Sequence, residues 1–199
     1  MIVYLSSLCN RKDDIMGKVV ILGGNARSGK TTLAYKLQKQ GFNRISFDLL
    51  NVYIKDGLKI DFDNLDTETK FNFFESVVNE AVKEVNNEDV NIVIDMYDYL
   101  PSDIDKLEKR DKIEVYFLAY PSCTKEEIKY NITHYAKPTD WIAQVNEKYL
   151  GSCVDRFYER NKILVEECNK YNINLIDTKS GEERDKIIND LLDRIIDIK

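Results

Sequence analysis

Eight consecutive residues limit this chain more than any other feature. Gly24-Asn25-Ala26-Arg27-Ser28-Gly29-Lys30-Thr31 fits the pattern G-x-x-x-x-G-K-[ST] at every fixed position. The apolar run Val19-Val20-Ile21-Leu22 precedes it, and a helical pattern, Lys30 to Gln40, follows and stops at Gly41. A strand, a glycine-rich turn and a helix N-terminus together form a cradle for phosphate. The glycines permit unusual dihedrals and close approach, and successive backbone N–H groups turn inward. Lys30 then supplies a mobile charge for β- and γ-phosphates, and Thr31 a hydroxyl for Mg²⁺. The candidate nucleotide-binding set is Gly24, Asn25, Ala26, Arg27, Ser28, Gly29, Lys30, Thr31 and Thr32.

The rest of the chain supplies a sheet to carry such a loop. After the first strand come Arg44 to Phe47, Asn91 to Ile94, Ile113 to Ala119 and Asn172 to Ile176. Most are apolar without strict alternation, the pattern of strands buried on both faces of a parallel sheet. Helical patterns lie between them: Thr67 to Asn86, a short helix capped by Ser102, one opened by the capping box Thr124 to Glu127, and one from Thr139 through Val145. Val154 to Lys170 and a last helix after Ser180 complete the series. Alternating strands and helices predict an α/β fold with a parallel five-stranded sheet and helices on both faces.

Two strand ends carry carboxylates. Asp95 closes the third strand, where a phosphate-binding sheet presents an acidic group to the metal, so Thr31 and Asp95 are the candidate Mg²⁺ ligands. Asp98 competes locally for that part. Asp48 closes the second strand and is positioned to accept the proton of an attacking hydroxyl, or to cap the segment from Leu49.

These residues resemble the small P-loop kinases of nucleosides, nucleotides and metabolites, the adenylate kinase and shikimate kinase group. The runs ILGGNARSGKTTLA (21–34), RISFD (44–48), NIVIDMYD (91–98) and KYNINLIDT (170–178) carry the likeness, which spans about residues 18 to 198. It implies a three-layer P-loop NTPase fold with strand order 2-3-1-4-5, Asp48 against the acceptor hydroxyl, and Thr178 to Gly181 near the adenine. The catalytic set is Lys30, Asp48, Arg156 and Arg160. The lid interval, about 121–170, departs from the arginine-rich lids of such kinases: it holds only Arg156 and Arg160. These lie four apart on one helical face and form either a phosphate clamp or a solvated surface. Lys125, Lys129 and Lys137 are the other lid cations. Tyr97, Tyr99 and Tyr120 are candidates for an acceptor pocket.

Composition narrows the function. The 199 residues carry 29 Lys and Arg against 35 Asp and Glu, a net charge of -6, which opposes a nucleic-acid partner held on a basic face. No apolar run approaches the roughly 20 residues of a membrane helix. Four cysteines without CxxC spacing read as reduced thiols of a cytoplasmic protein, and one His removes most His-based catalysis. Residues 1 to 15 read as an extension before Met16, or as an added arm; 16 to 199 form a single domain. The expected activity is transfer of the γ-phosphoryl group of ATP, with Mg²⁺, to a small-molecule acceptor by a monomer or homodimer. A regulatory or toxin-like nucleotide binder without small-molecule turnover is the alternative. A GTPase is opposed because Asn161-Lys162 lacks the Asp of N-K-x-D.

Overall fold

The computed structural model describes residues 17–136, 138, 140–179 and 182–197. The expected N-terminal extension, the Thr139 cap, Lys137, Ser180 and Gly181 lie outside the described residues. Along the chain run β1 (Val19–Gly24), α1 (Lys30–Lys39), β2 (Phe42–Ser46), α2 (Phe47–Leu58), α3 (Thr67–Glu88) and β3 (Asn91–Asp95). There follow α4 (Pro101–Asp105), β4 (Ile113–Ala119), α5 (Lys125–His134), α6 (Glu147–Lys170), β5 (Asn174–Asp177) and α7 (Glu182–Asp197).

The five strands are parallel and ordered β2-β3-β1-β4-β5. Central β1 is buried along its length, which explains its unbroken apolar run. Its side chains alternate between two cores. Val19 and Ile21 join Phe74 and Val78 of α3 and Leu164 of α6. Val20 and Leu22 join Leu33 and Leu37 of α1 and Ile188 and Leu191 of α7. Helices therefore cover both faces, and the carboxyl ends of the strands share one edge. A third cluster, around Tyr120, Ile128, Ile132, Leu150 and Phe157, joins the end of β4 to α5 and the start of α6.

The structure corrects several local expectations. β2 ends at Ser46, and α2 begins at Phe47 with Asp48 in its first turn. Asp48 therefore does not cap the helix; Ser46 occupies that place without a side-chain bond. Phe47 is fully buried, edge-on to Phe73, Phe74 and Tyr99, and this packing fixes the strand-to-helix joint beside Asp48. Ser102 is not a cap either: α4 starts at Pro101, and Asp103 accepts from the Leu100 N–H at 3.0 Å. α6 begins seven residues before Val154, because Asn146 caps it by accepting from the Tyr149 N–H at 2.9 Å. Residues Trp141–Gln144 form a turn of 3₁₀ helix.

Candidate active site

The loop after β1 is held by backbone geometry and by one buried polar network. Gly24 adopts φ 125°, and a Cβ there would lie 2.0 Å from the Leu118 carbonyl oxygen of β4. The close approach that demands glycine is thus to the neighbouring strand, where Asn25 N–H donates to Leu118 O at 2.9 Å. Gly29, at φ 96°, faces Ile188 of α7, 2.3 Å from where its Cβ would stand. Arg27 takes the left-handed conformation at φ 62° without being glycine.

Asn25 is fully buried and organises the loop. Its Nδ2 donates to Phe157 O at 2.7 Å and to Asn161 Oδ1 at 2.8 Å, while its Oδ1 accepts from the Ala26 N–H at 2.9 Å. Its carbonyl accepts from Ser28 Oγ at 2.8 Å and from Lys30 Nζ at 2.5 Å. Asn161 also donates to Tyr120 O at 3.2 Å, and the Tyr120 hydroxyl donates to Ala26 O at 2.8 Å. Asn161 therefore supports the phosphate loop from α6, which accounts for its place inside a helix, away from any base-reading role. Tyr120 lies beneath the loop, and Tyr99 belongs to the core, stacked on Phe74. Of the three tyrosines, Tyr97 alone lines the cleft that holds Asp48.

Lys30 folds back over the loop, and burial pushes its pKa down to about 8, with Asp48, Asp95 and Asp98 opposing and Arg160 reinforcing the shift. Asp95 is almost wholly buried and receives Arg44 as a fork: Nε to Oδ1 and Nη2 to Oδ2, both at 2.9 Å. Thr31 Oγ1 donates to Asp95 Oδ2 at 3.4 Å. Two ligands at right angles on Mg²⁺, each at about 2.1 Å, stand about 3 Å apart, so this oxygen pair fits the candidate metal position. Asp98 is turned to Asn51, whose Nδ2 donates to it at 3.1 Å, leaving Asp95 nearest Thr31.

Two cavities meet at the loop. One of about 370 Å³ is lined by Asp48, Asp95, Tyr97, Trp141 and Arg156 together with Lys30 and Thr31. The other, about 490 Å³, is lined by Gly29, Thr32, Tyr35, Tyr135 and Arg184, again with Lys30 and Thr31. Arg27 borders both, and its Nη1 pairs with Asp140 at 2.8 Å. Asp48 opens to the first cavity, yet burial of its carboxyl raises its pKa; Lys30 opposes this, and Asp95 and Asp98 add to it.

The two lid arginines part company. Arg156 reaches the first cavity. Arg160 lies over the Tyr97 ring, 4.3 Å from its centre, and donates to the Tyr97 carbonyl; burial lowers its pKa, and its Nε has no hydrogen-bond partner. Arg160 is half-buried, whereas Arg156 is exposed at the edge of the cavity it lines. Lys125 and Lys129 pair with Asp155 and Glu147. Thr178 is buried and donates through Oγ1 to Ala119 O at 2.9 Å, bracing β5 on β4. Sequence reasoning passed over Arg44 and placed Trp141, the single Trp, in the lid interval without assigning it a role. No sequence signal marks Arg44: strand register pairs Ser46 with Asp95, and Arg44, two residues earlier, shares that face of the sheet.

The sequence profile of chloramphenicol phosphotransferase-like proteins matches residues 17–117, just over half of the chain. No curated protein matches the sequence significantly. Among solved structures, the shikimate kinase of Acinetobacter baumannii, in complex with shikimate, aligns with a TM-score of 0.56 at 15% identity, covering 93% of this chain and 97% of that one. An unliganded sugar kinase from Janibacter sp. gives 0.58 at 15%, with 90% and 95% covered. A gluconokinase from Sinorhizobium meliloti 1021 gives 0.50 at 14%, with 92% and 97% covered. At these identities the likeness is one of fold.

Proposed function

We propose that this chain, which belongs to the chloramphenicol phosphotransferase-like family, is an ATP-dependent phosphotransferase that passes the γ-phosphoryl group to a hydroxyl of a small acceptor. One observation carries the reading. Lys30 and Thr31 line two cavities at once, and Asp48 and Arg156 stand in only one of them. A triphosphate lying along the loop from the Thr32 and Tyr35 side would bring its γ-phosphate to the junction, and an acceptor would enter beside Asp48.

The transfer forms a bond between acceptor oxygen and γ-phosphorus and breaks the bond from γ-phosphorus to the β–γ bridging oxygen, releasing ADP. Asp48 takes the hydroxyl proton, and its raised proton affinity makes it a better base than an ordinary carboxylate. Lys30 neutralises charge on the β- and γ-phosphates, and Arg156 reaches the transferring group from the lid. Thr31 and Asp95 would hold Mg²⁺, which supplies charge neutralisation to the phosphates. Trp141, from the lid interval, lines the acceptor side of the site.

The test is ADP release with ATP, Mg²⁺ and a panel of hydroxyl-bearing metabolites, sugars, nucleosides and aromatic alcohols. Stimulation by particular acceptors well above the rate with water supports the reading. Tight ATP binding with no acceptor response across the panel would instead favour a nucleotide-binding module.

A further inference from the structure

The carboxylate that faces the metal position is already neutralised by the protein. Both Asp95 oxygens are engaged by the Arg44 fork at 2.9 Å, across adjacent parallel strands, and the carboxylate is only 4% exposed. Arg44 is itself fixed from the other side, its guanidinium 4.4 Å from the centre of the Tyr35 ring. Such a pair does not drift apart into solvent. A divalent cation drawn to Thr31 and Asp95 in the absence of nucleotide therefore meets a neutral ion pair, with Lys30 and its positive charge close by. Mg²⁺ sheds its water reluctantly and needs anionic ligands to do so. Each Asp95 oxygen keeps a second lone pair, so the carboxylate can still serve a cation once other negative charge is present.

We propose that Arg44 is a positioning residue that makes metal binding depend on nucleotide. It holds Asp95 with Oδ2 towards Thr31, and it cancels the charge that would otherwise bind a free cation. The metal then enters only with the triphosphate, whose own charge outweighs Arg44. Empty protein is spared a cation on the loop that Lys30 and the phosphates must share. This rests on the reading of Thr31 and Asp95 as the metal ligands.

Mn²⁺ reports the difference directly, because free Mn²⁺ gives a paramagnetic resonance signal that is lost on binding. Without nucleotide, the wild-type protein should leave Mn²⁺ free through the submillimolar range. Arg44→Gln should bind about one Mn²⁺ per chain at least tenfold more tightly, and adding Asp95→Asn should abolish that binding. Arg44→Lys keeps the charge and should behave as wild type; Arg44→Met serves if the Gln variant melts early. A purely structural salt bridge predicts a lower melting temperature for Arg44→Gln with no new Mn²⁺ site. Equal Mn²⁺ binding by wild type and both neutral variants, with ATP·Mg²⁺ binding intact, overturns the role of Arg44 alone. Failure of the wild type to bind ATP with any metal would overturn the nucleotide-site reading beneath it.

Discussion

Removing Asn161 should loosen the phosphate loop from a distance, because this side chain is the bridge between α6, the end of β4 and Asn25. Asn161→Ala deletes the acceptor for Asn25 Nδ2 at 2.8 Å, the longer acceptor contact with Tyr120 N–H at 3.4 Å, and a donor to Tyr120 O at 3.2 Å. Some groups keep partners: Asn25 Nδ2 still reaches Phe157 O, and Tyr120 O still accepts from Cys123 N–H. The second Asn25 amide hydrogen and the Tyr120 N–H, both buried, are left without protein replacements. At about 1–3 kcal/mol for the Asn25 amide hydrogen and about 1 kcal/mol for the Tyr120 N–H, whose lost contact is the longer one, the cost is about 2–4 kcal/mol. For a chain of this size about 2–4 °C is lost per kcal/mol, so Tm should fall by about 5–15 °C. Asn25→Ala removes the other side of the same bond, and the double variant should be less destabilised than the sum by about 1 kcal/mol. Urea denaturation and ATP calorimetry on the three variants measure this, with ATP affinity falling several-fold in each. A variant that melts within a degree of wild type and binds ATP unchanged would refute the claim that Asn161 supports the loop.

Two further outcomes follow from the same geometry. Arg156→Ala should lower kcat by about 10²-fold or more while changing the KM for ATP little if the side chain, which lines the cavity with Asp48, meets the transferring group as proposed; steady-state kinetics decide it, and normal turnover would return Arg156 to a surface role. Burial pushes the Cys123 thiol up to about 11 and Cys168 to about 12 from an ordinary 9, so both should resist alkylation in the native protein and react once urea unfolds it. Because the folded pKa is the higher one, their stabilising contribution is full below about pH 9 and is lost as pH rises towards 11–12; urea midpoints across that range should fall.

The strand, loop and helix from β1 to α1 were legible because their signal is local. Glycines, lysine and threonine at fixed spacing between a strand and a helix leave few other meanings, and the strand order expected from the family likeness is the one observed. Helix starts were less legible. Ser102 and Val154 looked like reasonable openings, but Pro101 and the Asn146 cap set the true ones, since the backbone chooses among neighbouring caps by tertiary fit. Asp48 was singled out for a strand end that proves to be the first turn of α2, because the buried Phe47 that fixes the joint beside it looked only like the end of a strand. Arg44 illustrates what sequence hides most. Its partner Asp95 is 51 residues away, and only strand register brings the two together. Asn161 drew notice as half of a guanine-reading motif, yet its use is to brace Asn25, 136 residues back along the chain.

Asp48→Asn puts the central claim to its most direct test, using the acceptor that gives the fastest turnover. The carboxylate lines the cavity proposed for the acceptor and has no favourable contact to offer a triphosphate, so ATP·Mg²⁺ affinity should stay within about twofold of wild type. Loss of the base should lower kcat by about 10²–10⁴-fold. Since Ser46, not Asp48, precedes the first turn of α2, the melting temperature should hold as well. A folded Asp48→Asn protein that binds ATP normally and barely turns over is the predicted result; one that phosphorylates its acceptor at the wild-type rate would contradict the account.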